Sequence, residues 1–309
     1  MKILIELPTW LGDTAMVTPA IENLFKHFND AEISLVGSFV STELLKNHPK
    51  VTKISILDKK YLSLFRLARR LGKFDNYFSF RSSIRSNVFK FFISSNRKYQ
   101  YKKNKYKRLH QVEKYNNFIN DSLKVNFKPG KLLLNNAKRS QVNQSPRIAG
   151  INPGASYGSS KRWYPEKFAE LAIELSSQFE ILIFGGPSEV DIALDIENYL
   201  ISKGVVNYKN LSGKTTISEL VDYISKLDLF ISGDSGPMHI AASFQIPTIA
   251  IFGPTRDNET SQWMNQKSVV IKKNLDCQPC MKRHCPLKHH NCMKTIQASD
   301  VLNALKSIQ

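Results

Sequence analysis

The sequence predicts an α/β protein made of two doubly wound parallel-sheet domains, and three observations carry that prediction. Short apolar runs of strand length alternate with amphipathic stretches of helical period. A polar segment containing Pro129 and Gly130, residues 126–145, interrupts the alternation, which restarts at Arg147. The chain has 309 residues, enough for two domains of about 150 residues each, and its 42% hydrophobic content can fill both cores. The division is drawn at residues 1–135 and 136–309.

In the first half, residues 2–7 (KILIEL) form a buried strand and residues 8–12 a turn. A helix opens at Asp13 or Thr14 and continues through Ala20, Ile21, Leu24 and Phe25, an apolar face at helical spacing. Strands at 33–36, 54–57 and 77–80 alternate with helices at 42–46, 62–71 and 84–92. Residues 97–108 are too charged and irregular to assign, and 110–123 return to helix. Residues 126–145, with their polar run at 135–144, make the best candidate linker. Beyond it, strands at 147–152, 180–184, 205–208, 229–232 and 248–252 alternate with helices at 165–177, 188–201, 217–227 and 237–244. A helix at 299–308 closes the chain. Strands joined through helices pair in parallel, so each half is Rossmann-like, with a cleft expected between the two sets of strand ends.

The net charge is +18, and its placement matters more than its size. Residues 59–114 hold 17 Lys or Arg against two acids, Asp75 and Glu113, interleaved with Phe and Tyr. That pattern calls for an anionic partner, either nucleic acid or a phosphorylated glycolipid at a membrane surface. No stretch reaches the ~18 apolar residues of a membrane span and the amino terminus lacks a signal-peptide core, so a cytoplasmic protein is expected.

Ligands of such sheets sit beyond the strand carboxyl ends. Gly233-Asp234-Ser235-Gly236 lies there, ahead of a helix with Pro237 in its first turn, where Asp234 or Ser235 can cap the helix. The helix N-terminus makes this an anion site suited to a diphosphate. Asn152-Pro153-Gly154-Ala155-Ser156 ends another strand, with Lys161 just beyond to set a point charge on a phosphate or simply to precede a helix. Gly185-Gly186-Pro187-Ser188-Glu189 ends a third, where Glu189 either accepts from ribose hydroxyls or complements the helix dipole. His239 is a ligand contact or a packed core histidine. No phosphate-binding P-loop and no G-x-G-x-x-G is present, which argues against nucleotide hydrolysis and hydride transfer. In the first half, Asp13 is either a helix cap or a general base.

Taken together, Trp10-Leu11-Gly12-Asp13 after the first strand, Asn152-Pro153-Gly154-Ala155 with Lys161-Arg162-Trp163, Phe184-Gly185-Gly186, Gly233-Asp234-Ser235-Gly236-Pro237-Met238-His239 and Phe252-Gly253-Pro254-Thr255 span nearly the whole chain. In these motifs the sequence resembles glycosyltransferase family 9, the lipopolysaccharide heptosyltransferases. The resemblance implies a GT-B fold and inverting transfer of heptose from ADP-heptose onto the first heptose of the inner core on lipid A, without an obligatory metal or cofactor. It implies Asp13 as the base, and Ser156, Lys161, Glu189, Asp234, Ser235, Gly236 and His239 on the donor side. Trp10, Thr14, Arg81 and Arg85 are the candidate acceptor contacts. The basic subdomain would then meet the anionic glycolipid acceptor at the inner face of the cytoplasmic membrane, with no nucleic acid involved. Rivals are transfer at another core position or from another nucleotide sugar. A non-catalytic polyanion binder is the alternative of another class, and it leaves the diphosphate turns unexplained.

All four cysteines fall together, Cys277, Cys280, Cys285 and Cys292, beside His284, His289 and His290. In a cytoplasmic chain so compact a set suggests a structural zinc, free thiols or adventitious disulfides being the alternatives.

Overall fold

The computed structural model describes residues 1–58, 60–135 and 146–308. Two compact units divide the chain, Met1–Asn136 and Ala137–Gln309. Residues 136–145 of the expected linker lie outside the described residues. Its amino-terminal half is not a linker but packs on the first unit: Asn116 and Asn120 amides donate to the Phe127 carbonyl, the Leu133 N–H donates to Thr18 Oγ1, and Leu132 and Leu134 are buried.

The first unit runs β1 (Lys2–Glu6), α1 (Leu11–Met16), α2 (Thr18–His27), β2 (Glu32–Gly37), α3 (Phe39–Leu45), β3 (Val51–Ile56), α4 (Tyr61–Leu71), β4 (Lys73–Ser79), α5 (Ile84–Phe92), β5 (Ser94–Gln100) and α6 (Gln111–Leu123). Its five strands are parallel in the order β3-β2-β1-β4-β5. Helices α4 and α5 pack together on one sheet face over Leu4, Val36 and Tyr77. Helices α2 and α6 pack together as well, away from that pair. The single helix expected after the first turn is two. Pro19 has no N–H to give the Ala15 carbonyl, and the Thr18 hydroxyl donates to it instead, at 2.8 Å.

The second unit runs β6 (Arg147–Asn152), α7 (Pro165–Leu175), β7 (Phe179–Ile183), α8 (Val190–Ser202), β8 (Tyr208–Asn210), α9 (Ile217–Ser225), β9 (Leu229–Gly233), α10 (Gly236–Ser243), β10 (Thr248–Ile251), α11 (Asp257–Thr260), β11 (Ser268–Ile271), α12 (Asn291–Lys294) and α13 (Ala298–Leu305). Six parallel strands lie in the order β11-β10-β9-β6-β7-β8. The main core sits between this sheet and α7, α8 and α13, with Trp163, Phe168 and Phe179 buried in it.

The strands that sequence reading misses lie at the sheet edges, while internal β4 begins four residues earlier than expected. β5 (SSNRKYQ) falls where the chain looked irregular, β8 begins three residues later than expected, and β11 was not anticipated. An edge strand pairs on one side and need not be apolar on either face, so its backbone ladder carries it without a hydrophobic signal.

Gly150, in the middle of central strand β6, faces a crowded interior. A Cβ there would lie 2.6 Å from Leu227 and under 3 Å from the rings of Phe184 and Phe230. Gly150→Ala should lower stability by about 1–3 kcal/mol through overpacking, measured by urea unfolding.

Candidate active site

In each sheet, the two central strands carry helices that leave in opposite directions, which opens a crevice at their carboxyl ends. In the first unit these strands are β1 and β4, in register at Glu6 and Ser79. Glu6 is wholly buried, an acid at the end of an otherwise apolar strand. Its carboxylate accepts from Tyr77 Oη (2.6 Å), Ser79 Oγ (2.6 Å) and Ser86 Oγ (2.5 Å), and the Arg81 guanidinium stands at 3.5 Å. Gln100, on β5, closes the ring by donating to both serine hydroxyls and to the Arg81 carbonyl. Burial, with the Glu6 charge second, raises the Tyr77 phenol well above its ordinary range, so it stays a donor. Arg81 is thereby held at the crevice. Arg85 is half-buried, its guanidinium over the Tyr61 ring at 5.6 Å.

Asp13 is not a helix cap. Trp10 occupies the N-cap of α1, without a side-chain bond, and Asp13 lies in the first turn. There Asp13 Oδ1 accepts from the Tyr115 phenol on α6 at 3.0 Å. Tyr115 is buried, and burial followed by the Asp13 charge pushes its own ionisation far up. The capping alternative therefore falls away, and the carboxylate is oriented by a neutral donor from another helix. Trp10 is exposed. Thr14 does not suit acceptor contact: its side chain is fully buried and its hydroxyl donates to the Trp10 carbonyl at 2.9 Å.

In the second unit the central pair is β6 and β9, in register at Asn152 and Ser232. Lys161 Nζ donates to Asp234 Oδ2 at 2.5 Å and to the Asp234 carbonyl at 3.3 Å, while Thr255 Oγ1 donates to the same carboxylate oxygen at 2.7 Å. Both charged side chains are largely withdrawn from water. The Ser235 hydroxyl lies 2.7 Å from Ser232 Oγ and 3.4 Å from the Asn152 amide. Neither Asp234 nor Ser235 caps α10, contrary to expectation, because both side chains are engaged across the sheet instead. Helix α10 starts at Gly236 with Pro237 in its first turn, and its N-cap residue Ser235 makes no side-chain capping bond.

Glu189 is buried, and its Oε2 accepts from the Gly186 N–H at 2.8 Å. This is the local first-turn role, tucked under the loop after β6. Glycine is needed at 154 because a Cβ there would collide with the Glu189 carboxyl group. Ser156 is exposed on the same loop, and His239 is buried inside α10 behind the turn. Sequence reading missed Glu6, Tyr115 and the Thr255 hydroxyl as site-shaping groups. Of these, Glu6 carried a local signal as a lone acid in an apolar strand, and Thr255 closed a strand-end motif, whereas Tyr115 had none. Two open grooves, one beside β8 and one lined by Met1, His27 and Tyr99, contain none of these residues.

The cysteine segment braces the lysine loop. Tyr157 Oη donates to the Met281 carbonyl (2.8 Å), Ser160 N–H to the Arg283 carbonyl (3.1 Å) and Ser160 Oγ to the Lys282 carbonyl (2.5 Å). Ser159 Oγ meets His284 Nδ1, and His290 bridges the Ser160 carbonyl and Tyr164 Oη. All four cysteines are free thiols, and among the described residues no three His, Cys, Asp or Glu side chains form a set able to hold a metal ion. The expected structural zinc is therefore not supported. Hydrogen bonds to backbone carbonyls supply the order that the spacing had suggested a metal would give. Burial, then the neighbouring Cys280, Cys285 and Cys277, push the Cys292 thiol up to about 11. Since thiolate is the reactive form, iodoacetamide at mildly alkaline pH should label Cys292 last of the four, read by peptide mass mapping.

Comparison with known proteins places this geometry. Residues 79–291 match the family model described as glycosyltransferase family 9 (heptosyltransferase). Along its full length the chain is 44% identical to lipooligosaccharide heptosyltransferase 2 of Campylobacter jejuni serotype O:2, covering 98% of that protein. Among solved structures, Escherichia coli ADP-heptose LPS heptosyltransferase II superposes over 100% of this chain and 98% of its own, with a TM-score of 0.81 at 21% identity. Escherichia coli heptosyltransferase WaaC with ADP covers 100% of both chains with a TM-score of 0.76 at 15% identity. The expected α/β class of the GT-B type is thus found, and the chain belongs to glycosyltransferase family 9, the heptosyltransferases.

Proposed function

We propose that this glycosyltransferase moves heptose from ADP-L-glycero-D-manno-heptose onto the first heptose of the lipopolysaccharide inner core, Hep-Kdo-lipid A, with inversion and without an obligatory metal. The observation that carries the reading is Lys161 held against the 233–236 turn at the crevice of the second sheet. A fixed ammonium beside an uncapped helix N-terminus is a site for a diphosphate. The likeness to heptosyltransferase 2, and to WaaC, whose structure was solved with ADP, supports heptose and ADP as its occupants.

The reaction is a single displacement. Asp13 takes the proton of the attacking acceptor hydroxyl as that oxygen bonds the anomeric carbon. The bond from that carbon to the diphosphate oxygen breaks, and ADP departs with the electron pair. Lys161 and the backbone N–H groups at the start of α10 stabilise the charge gathering on the diphosphate. Asp234 does not touch the anion in this scheme, because a carboxylate would repel it; it holds Lys161 in place. Tyr115 orients Asp13. Arg81, positioned by Glu6, and Arg85 face the carboxylates and phosphates of the acceptor. Asp13 lies in the first unit and Lys161 in the second. The acceptor is a lipid, and the enzyme works peripherally at the inner membrane face. Among the described residues no helix is long and apolar enough to cross a membrane. A polyanion binder would need neither the lysine pair nor the oriented Asp13.

Asp13→Asn should abolish heptose transfer while ADP affinity stays within a few-fold; near wild-type turnover would remove Asp13 as the base. Lys161→Ala deletes a charged hydrogen bond worth about 1.5–3 kcal/mol, so ADP affinity should fall at least ten-fold by calorimetry. Thermal-shift screening should show stabilisation by ADP and ADP-heptose above UDP and GDP forms. A preference for UDP would overturn the donor assignment.

A further inference from the structure

We propose that α4 and α5 form the docking face through which the protein sits on an anionic lipid bilayer; the inference rests on the reading that the acceptor is a membrane glycolipid. A helix that buries one stripe against a sheet ordinarily turns a polar face to water. Helix α4 buries Leu64 and Ala68, yet its outer side carries Tyr61, Leu62 and Phe65, all exposed. On α5, Ile84 and Phe91 are 79% and 80% exposed, more than any other large hydrophobic residue described in the first unit. They lie seven residues apart, two helical turns, on one stripe. The rings of Phe65 and Phe92 meet at 5.3 Å, so the apolar surface continues from one helix to the other. Helices α2 and α6 provide the internal comparison, for neither exposes a large hydrophobic residue among those described.

Charge selects the occupant. Arg66, Arg69 and Arg70 are exposed along α4, with the Arg69 guanidinium over the Phe65 ring at 5.7 Å. From residue 59 to residue 112 the sequence has one acid, Asp75, which accepts from the Lys2 N–H and the Asn96 amide. Aromatic and aliphatic side chains interleaved with arginines, with almost no acid nearby, match a bilayer surface. The cations meet anionic headgroups while the apolar tips enter the headgroup–acyl boundary. A soluble acidic partner or a nucleic acid would answer the charge but leave Ile84, Phe91 and Leu62 in water.

The test is flotation of the full-length protein with vesicles of phosphatidylcholine alone or mixed with phosphatidylglycerol, at low and high salt. Wild type should float with the anionic vesicles, less so at high salt, and not with the neutral ones. At about 1 kcal/mol per cation, roughly five-fold each, the triple variant Arg66→Ser, Arg69→Ser, Arg70→Ser should lose on the order of 100-fold in vesicle affinity. The double variant Ile84→Ser, Phe91→Ser should lose binding that salt does not restore. Both should keep the wild-type circular dichroism spectrum and cooperative unfolding, which shows that they fold. Flotation of wild type with neither vesicle, or unchanged flotation of the triple variant, would overturn the proposal. So would tighter binding to a single-stranded oligonucleotide than to anionic vesicles. Heptose transfer to detergent-solubilised acceptor separates the two readings: absent transfer with vesicle binding as described would sink the catalytic reading and leave the docking face standing.

Discussion

The second unit depends on one ion pair placed where its sheet splits. Lys161 and Asp234 come from loops that follow β6 and β9, and they meet at 2.5 Å with little of either side chain in water. Withdrawing two charges from solvent costs several kcal/mol per ion, and the pair holds because further bonds reach both partners. The Asp234 carboxylate also accepts from Thr255, beyond β10, and Lys161 also reaches the Asp234 carbonyl. Three strand-end loops are therefore tied at one carboxylate. The 157–161 loop is long enough to wander, and the segment containing Met281, Lys282 and Arg283 fixes it through backbone carbonyls. The cysteine segment thus acts on the lysine from behind.

The first unit solves the same geometric problem with an acid as the hub. Glu6 sits in the position in its sheet that corresponds to the end of β6 in the other. Left alone, a buried carboxylate would ionise poorly. Three hydroxyl donors and the Arg81 guanidinium supply what water would have given. Removing one donor would leave an unsatisfied charge, so the ring of Tyr77, Ser79, Ser86 and Gln100 acts as a unit. It fixes the turn after β4, where Arg81 stands. Asp13 is set from a different direction, by Tyr115 across from α6. The two acids of this unit have opposite roles, one wholly buried as structure and one half-exposed and oriented.

What was legible in the sequence follows from the range of the interactions involved. β6 and α5 match their expected bounds because a buried parallel strand and an amphipathic helix announce themselves locally. β5 and β11 do not, since pairing at a sheet edge makes them strands whatever their side chains are. Of the site, Asp13, Lys161 and the 233–236 turn were legible because each lies at a strand end in a short motif. Their pairings were not: Tyr115 is 102 residues from Asp13, and Asp234 is 73 from Lys161. The capping roles given to Asp13, Asp234 and Ser235 failed for one reason. A short polar side chain ahead of a helix is free to cap only if nothing else claims it, and here Tyr115, Lys161 with Thr255, and Ser232 do. The zinc expectation lacks support for another reason: among the described residues no set of side chains is arranged to hold a metal ion.

The two units hold positive charge in opposite ways. Lys161 is a single cation, partly buried, pinned by Asp234 and set beside helix N–H groups. At such range and depth salt screens weakly, and geometry decides what binds. The cations of α4 are several, exposed and carried on long side chains, so each counts for little alone and their field falls away within a Debye length of about 8–10 Å. The first arrangement suits one anion held in a fixed pose. The second suits a surface that is charged everywhere and must be found, held loosely and left again. The two are not interchangeable: a pinned lysine cannot follow a fluid array of charges, and a solvated arginine stripe cannot concentrate charge at one point.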